Sequence, residues 1–431
     1  MHQRYFIIVS FDALGSRDLI DLQELPAFQR LIKESAHCLN VTSVYPSLTY
    51  PCHTSISTGM LPKNHGVEAN TLLQPHRSSP DWHWTRDHIK VDTFYDAALR
   101  KGYSVCSLLW PVTGKSAITY NLPEVFANRP WHHQIPVTLA HGTKSFLLDI
   151  NRRFGHLRKG IQQPELDLFV EATAHHMLKT RKPHVLMMHF VELDAMRHQY
   201  GYDSEEAKKA LRSYDAKLQG LFDLLEEEGL LKDTTLFVLG DHDQLPVHTA
   251  LYMNSILKDK GYLEVKKGKI RRYKAIAQSL DGSCYIHLSK DIQNEEKEAL
   301  KNLLYKLRDR EDFGIEHVLT EEELRLRGAS STASFMLEAK RGFYFRDEHH
   351  RGASVKEDPT KKGQDHHGKS THGFDPLKED YQTVFFALGK GIKKGVTLPS
   401  MSLVDEGPTF AYSMGTVLHD TDGRILHELF E

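Results

Sequence analysis

The sequence predicts an α/β fold in which a mostly parallel central sheet carries helices on both faces and an inserted, smaller α+β cap. Two observations predict the sheet and a third predicts the cap. Short apolar, β-rich runs alternate with segments of helical periodicity along most of the chain. Acids and imidazoles follow several of those runs, which is where an open parallel sheet gathers its ligands. The stretch 247–365 breaks the rhythm and is rich in Lys, Arg and Glu. The expected division is a main domain of residues 1–246 and 366–431 and a cap of residues 247–365. At roughly 100–200 residues per domain, 431 residues accommodate both.

Residues 5–10 (YFIIVS) are short, apolar and bounded by polar residues, as a buried strand is. Residues 25–34 follow with Leu25, Phe28, Leu31 and Ile32 at helical spacing. Residues 93–101 are helical and close on Gly102, a residue suited to a left-handed C-cap. Residues 103–109 read as the next strand. Helix 166–181 leads into strand 183–191, and the long amphipathic helix 205–229 leads into strand 235–239. Strand 383–388 and helix 408–418 complete the main domain. Within the cap, 283–288 reads as a strand, 297–308 as a helix and the basic run 266–274 as a solvated face. Residues 355–369 are polar and broken by Gly and Pro, so they read as a loop.

Composition excludes several classes. Lys+Arg of 55 against Asp+Glu of 57 gives a net charge of −2, which argues against binding duplex nucleic acid. No run approaches the 18 or so apolar residues of a membrane span. The apolar residues 5–9 are too short for a signal h-region and run into Asp12. Cys38, Cys52, Cys106 and Cys284 are dispersed with no CxxC pair, so neither a disulfide framework nor a Cys-rich zinc finger is expected. A cytoplasmic location is the expectation. The outlier is 27 histidines, the commonest type of metal ligand.

Asp12 follows the first strand, Asp194 and His198 follow strand 183–191, and Asp241 and His242 follow strand 235–239. In a parallel sheet these groups converge on one edge, where three carboxylates repel one another unless divalent cations intervene. Mixed Asp/His ligation suits zinc, with manganese or iron as alternatives. Asp194-x-x-x-His198 sets both side chains on one side of a helical turn. In the hydroxyl-rich segment 45–54, two prolines bracket Thr49. A hydroxyl at a helix N-terminus and beside a metal becomes a nucleophile. The residues alone leave open that Thr49 caps a helix at 53–59 or ends a strand.

The string SLTYPCHTSISTGMLPKNHGVEAN resembles the nucleophile segment of the type I phosphodiesterase/nucleotide pyrophosphatase family, within the alkaline phosphatase superfamily. The resemblance lies in Thr49-Tyr50-Pro51-Cys52-His53, Thr58-Gly59 and the run from Pro62 to Asn70. Three further segments resemble family motifs in the family's order: ELDAMRHQYG at 192–201, GDHDQ at 240–244 and THGFD at 371–375. The C-terminal VDEGPTFAYSMG at 404–415 is similar to a closing helix of the family. The resemblance implies an alkaline-phosphatase-like fold and two divalent metal ions. One ion is held by Asp194, His198 and His372, and the other by Asp12, Asp241, His242 and Thr49, which stands beside the pair. It implies Thr49 as the nucleophile, a covalent phospho-threonine, and Asn70 as hydrogen-bond donor to a phosphate oxygen. The implied substrate is a small phosphorylated molecule such as a nucleotide, cleaved at a phosphodiester or pyrophosphate bond. A phosphonate or phosphomonoester hydrolase and a non-catalytic, metal-stabilised phospho-ligand binder are the alternatives.

Two positions depart from the family pattern. Leu193 replaces a Pro, and Asp243 replaces a Gly after the Asp-His pair, where it either adds negative charge near the site or faces solvent. Monoesterases of the superfamily surround the extra phosphate charge with cations, and only Lys63 and Arg17 are candidates here. A sulfatase core is absent from 52–55 (CHTS). Trp82, Trp84, Trp110 and Trp131 are expected to pack in the core or loops, with base stacking as the alternative. Among the histidine doublets, His175 and His176 are expected on a helix surface, and His366 and His367 lie near His372 with an accessory role open.

Overall fold

The computed structural model describes residues 4–77, 79–356 and 368–431. Tyr5–Phe11 runs through a nine-stranded sheet with every residue buried. A strand covered by helices on both faces has no solvent side, so it reads as a continuous apolar run. Its side chains divide by parity: Tyr5, Ile7, Val9 and Phe11 enter one core, Phe6 and Ile8 the other. The first core takes Phe28 of helix Pro26–Glu34 and Leu218 of helix Glu205–Glu227. The second takes Ile56 of helix Thr49–Thr58 and Phe410 of helix Glu406–Ser413.

Tyr5–Phe11 pairs in parallel with Val185–Phe190 on one side and Thr234–Leu239 on the other. Val105–Leu108 and Tyr120–Leu122 continue the parallel array beyond Val185–Phe190. Beyond Thr234–Leu239 lies Thr383–Gly389, which is antiparallel to it and to Ala36–Thr42 on its far side. Thr397–Leu398 and Met401–Ser402 close that edge. The sheet is therefore mostly parallel, with one central strand reversed. That reversal brings a distant part of the chain to the functional edge.

The helix expected at 53–59 begins earlier, at Thr49. Pro51 is no obstacle, because the amides of a helix's first turn have no intrahelical acceptor to lose. The helix ends at Gly59, whose φ of 71° is the left-handed conformation a Cβ disfavours. The helix expected at 205–229 spans Glu205–Glu227, and the one expected at 408–418 spans Glu406–Ser413.

Between the two parts of the sheet domain, a four-stranded antiparallel sheet has the order Ala275–Leu280, Ser283–Leu288, Phe335–Ala339, Ile315–Thr320. Helix Asn294–Arg308 contributes Leu300 and Leu304 to a separate core with Ile286 and Leu337. Strand Leu245–Leu251 runs across position 247 and pairs with Gly342–Phe345 and with Ser370–Thr371. Lys269–Tyr273, in the basic run, forms a ribbon with Leu263–Lys266. The expected join at 365/366, with His366 and His367, lies outside the described residues. Among the described residues no helix is long and apolar enough to cross a membrane.

Candidate active site

The site forms where the parallel strands end. Asp12 directly follows Tyr5–Phe11, and its amide donates to Phe190 O at 2.9 Å. Asp241 and His242 lie just past Thr234–Leu239. Helix Glu192–Tyr200 starts two residues after Val185–Phe190 and sets His198 Nε2 3.3 Å from Asp194 Oδ1. Because Thr383–Gly389 runs backwards, its approach reaches this same edge. Ser370–Thr371 pairs with Leu245–Leu251 on the way, and His372 is delivered with its Nε2 3.7 Å from Asp194 Oδ1. All these groups are buried or nearly so.

Their ligand atoms fall into compact groups. Asp12, Asp241 and His242 form one, and Asp194, His242 and His372 another, with the atoms of each within 4.8 Å of one another. His242 Nε2 is 3.4 Å from Asp12 Oδ1 and 3.3 Å from Asp241 Oδ2. His198 Nδ1 faces the Ser370 carbonyl at 2.8 Å, which turns its Nε2 towards Asp194. His242 therefore stands between the two expected ligand sets. Thr49 Oγ1, at the start of its helix, is 3.2 Å from His242 Nε2.

The carboxylates are electrostatically frustrated without a counter-charge. Burial lifts Asp12 well above the usual carboxylate range, and Asp241 and Asp194 add to that. Burial also raises Asp241, against the opposing pull of His242. At Asp194 burial works upward too, yet His198, His372 and His242 hold the group far below its ordinary value. Asp12 Oδ1 and Asp241 Oδ2 are buried with no hydrogen-bond donor. A buried acceptor left in that state is costly, so these oxygens and imidazoles fit divalent cations.

Asn70 lies beside the start of the Thr49–Thr58 helix. Its Oδ1 accepts the Tyr50 amide at 3.0 Å, capping a free donor of the Thr49 helix and leaving Nδ2 as its donor group. Two residues earlier, Glu68 is gripped by three hydroxyls of 330–332, at 2.6 Å from Ser330, 2.8 Å from Ser331 and 2.9 Å from Thr332.

Several participants escaped the sequence reading. Gln244 Nε2 donates to Asp194 Oδ1 at 2.6 Å. His53 lies under the site, with Nδ1 2.8 Å from Thr49 O and Nε2 2.9 Å from Ser10 Oγ. His189 Nε2 is 3.2 Å from Asp12 Oδ2. Glu124, near His189, is pushed up to about 8 by burial together with Asp241 and Asp194. The available signals were the Thr49-x-x-x-His53 spacing and a histidine inside the apolar run 183–191.

Asp243 does not face solvent, and the charge it adds beside the site is paired. It is fully buried and accepts from Arg17 Nε at 3.0 Å and Nη2 at 2.9 Å, with Arg197 Nη1 3.6 Å away. Both guanidiniums lie over the Tyr202 ring, Arg17 at 3.9 Å and Arg197 at 3.8 Å from its centre. The substituted carboxylate is thus a strut tying the 12–18 loop to the 241–244 loop. It also commits Arg17 elsewhere, and Lys63 donates to Arg325 O at 2.8 Å. Trp110 and Trp84 are buried as expected, whereas Trp131 is 73% exposed. His176 lies on its helix within 3.8 Å of Asp149.

A model of the type I phosphodiesterase / nucleotide pyrophosphatase family matches residues 6–375. The chain is 24% identical over 261 residues to ectonucleotide pyrophosphatase/phosphodiesterase family member 1 of Homo sapiens, covering 58% of this chain and 24% of that protein. To ectonucleotide pyrophosphatase/phosphodiesterase C27A7.3 of Caenorhabditis elegans it is 22% identical over 416 residues, 95% of this chain and 46% of the other. It matches a Bos taurus protein named bis(5'-adenosyl)-triphosphatase ENPP4 at 23% identity, over 55% of this chain and 46% of that one. The chain thus spans between a quarter and a half of the length of these curated relatives. Murine ectonucleotide pyrophosphatase/phosphodiesterase 5 shares the fold, with a TM-score of 0.69 and 17% identity over all of both chains. An inactive variant of that enzyme in complex with AMP superposes with a TM-score of 0.68.

Proposed function

This chain belongs to the type I phosphodiesterase/nucleotide pyrophosphatase family, and from that premise we propose that it hydrolyses phosphodiester or pyrophosphate bonds of small nucleotide-like substrates through a phospho-threonine at Thr49. The observation that carries the reading is Thr49 Oγ1 at a helix start, 3.2 Å from His242 within the group of Asp12, Asp241 and His242. Asp194, His198 and His372 are assigned to one divalent cation and Asp12, Asp241 and His242 to the other, zinc being the first choice. When bound, two such ions lower the pKa of a hydroxyl and neutralise charge on phosphoryl oxygens.

The chain's own groups do the rest. Thr49 Oγ1 loses its proton to solvent and bonds phosphorus as the P–O bond to the leaving oxygen breaks and that oxygen takes up a proton from solvent, and the helix N-terminus beneath Thr49 favours the negative charge that develops. Asn70 Nδ2 donates to a non-bridging oxygen, its amide held in orientation by Tyr50 N. A water oxygen then displaces Oγ1 from phosphorus and regenerates the hydroxyl. Gln244 fixes the rotamer of Asp194. Arg17 and Lys63 are engaged away from Thr49, which favours a diester over the more highly charged monoester. The nucleotide preference is supported by the name of the bovine relative and by the AMP complex of the murine one.

Residues 247–365 are assigned as a cap that sets leaving-group selectivity, supported by the grip of Ser330, Ser331 and Thr332 on Glu68 beside Asn70. A cytoplasmic location is supported by four buried, unpaired cysteines. The test measures bound metal and compares bis-nitrophenyl with mono-nitrophenyl phosphate and a nitrophenyl phosphonate. Stoichiometric metal, preference for the diester and loss of turnover in Thr49→Ala are expected. Faster turnover of the monoester or phosphonate would replace the substrate assignment, and tight nucleotide binding without product would replace the enzyme by a binding protein.

A further inference from the structure

We propose that His189 is a further protein ligand of the metal centre, beyond the residues assigned to it above, binding through Nε2 the cation carried by Asp12. This inference rests on the two-cation reading above.

His189 stands on strand Val185–Phe190, in register with Ser10, and its side chain is wholly buried. Its two nitrogens face different groups. Nδ1 lies 3.2 Å from the Leu109 carbonyl, an acceptor only, so Nδ1 carries a proton. Nε2 points at Asp12 Oδ2 from 3.2 Å and makes no hydrogen bond. A bare imidazole nitrogen and a carboxylate oxygen then face each other with no aligned proton between them. Two such atoms repel unless a proton or a cation lies between, and a divalent cation that binds there displaces the proton. Nitrogen and oxygen atoms each about 2.0–2.1 Å from one tetrahedral zinc lie about 3.3 Å apart, close to the separation seen.

The neighbouring imidazole is arranged differently. His53 is 4.3 Å from His189, ring to ring, and with Asp241 the three form a compact group of ligand types. Yet both His53 nitrogens are engaged, by Thr49 O and Ser10 Oγ. A separate third ion at His53, His189 and Asp241 would have to break those bonds. His189 is instead the donor that reaches Asp12 from below, while His242 faces Asp12 Oδ1 at 3.4 Å.

The test counts imidazoles by X-ray absorption on the zinc-loaded protein, with metal content measured on the same sample. Two ions sharing four imidazoles are expected in the natural protein, and three in His189→Gln. Retention of one ion against a chelator should weaken at least ~10-fold in that variant, the lower end of what loss of even an outer-sphere partner causes. The count on the natural protein stands even if the variant fails to fold. Two ions with three imidazoles would overturn the ligand role and leave the two-cation reading intact. Failure to retain stoichiometric metal would instead overturn the two-cation reading itself.

Discussion

Replacing Arg197 with Met should cost the fold about 3–5 kcal/mol. Arg197 is 1% exposed and lies between two buried carboxylates. It pairs closely with Asp18, donates to Ala13 O at 2.5 Å and approaches Asp243 at 3.6 Å. The two carboxylates would be left in unequal states. Asp243 keeps both Arg17 bonds and the Gln244 amide at 2.7 Å. Among the described residues Asp18 keeps the Gly15 amide at 2.9 Å and a distant Tyr202 hydroxyl at 3.5 Å. The penalty is therefore that of one stranded buried carboxylate, the regime in which breaking a buried pair is expensive. Asp18→Asn in the same background should recover part of the loss, because the stranded charge is gone. The assay is denaturant unfolding in chelator, which removes metal-linked stability. A loss under about 1 kcal/mol, or no recovery in the double variant, would refute the strut as described.

Gly373→Ala should lose at least ~2 kcal/mol and release metal, because φ there is 81° and a Cβ would sit 1.9 Å from Leu280 O. Unfolding curves and metal content check this, and full metal retention would contradict it. Asp167 caps the Asp194 helix from outside, accepting the Val191 and Glu192 amides at 3.1 Å each on its two oxygens. Asp167→Asn keeps one acceptor and should cost about 1–2 kcal/mol with weaker metal retention, measured by unfolding and chelator competition. Burial pushes Glu338 up to about 8 despite Lys378 at 3.1 Å. Folding then takes up a proton that the unfolded chain has released, so this contribution is full below about pH 4.5 and is lost as pH rises through about 8. Stability measured across that window should fall with pH, and Glu338→Gln should flatten the fall.

Much of this architecture is legible because its strands announce themselves. A strand buried on both faces must be apolar throughout, so Tyr5–Phe11, Val185–Phe190 and Thr234–Leu239 stand out, and the acids after them fall on one edge by topology alone. The sense of Thr383–Gly389 is not legible, since pattern gives burial and not direction. That reversal is what carries His372 to Asp194. Ala36–Thr42 mixes His, Asn and Thr with apolar residues and lies near the sheet's edge, so no clean periodicity marks it. The pairing of Asp243 is hidden for another reason. Its partners Arg17 and Arg197 are distant in sequence, and nothing local distinguishes a buried ion pair from a solvated acid. His189 was hidden by its setting, a strand whose other residues serve only the core.

The proposed hydrolysis stands on covalent attachment of the substrate phosphorus to Thr49 during turnover. Acid-quenched reactions with a nitrophenyl phosphodiester, digested and read by mass spectrometry, address it directly. The adduct expected on the peptide bearing Thr49 is the threonyl phosphodiester that keeps the substrate's second alcohol, formed with the first burst of nitrophenol and absent both after metal removal and in Thr49→Ala. Hydrolysis at an undiminished rate in Thr49→Ala, with no adduct on the natural protein, would contradict it.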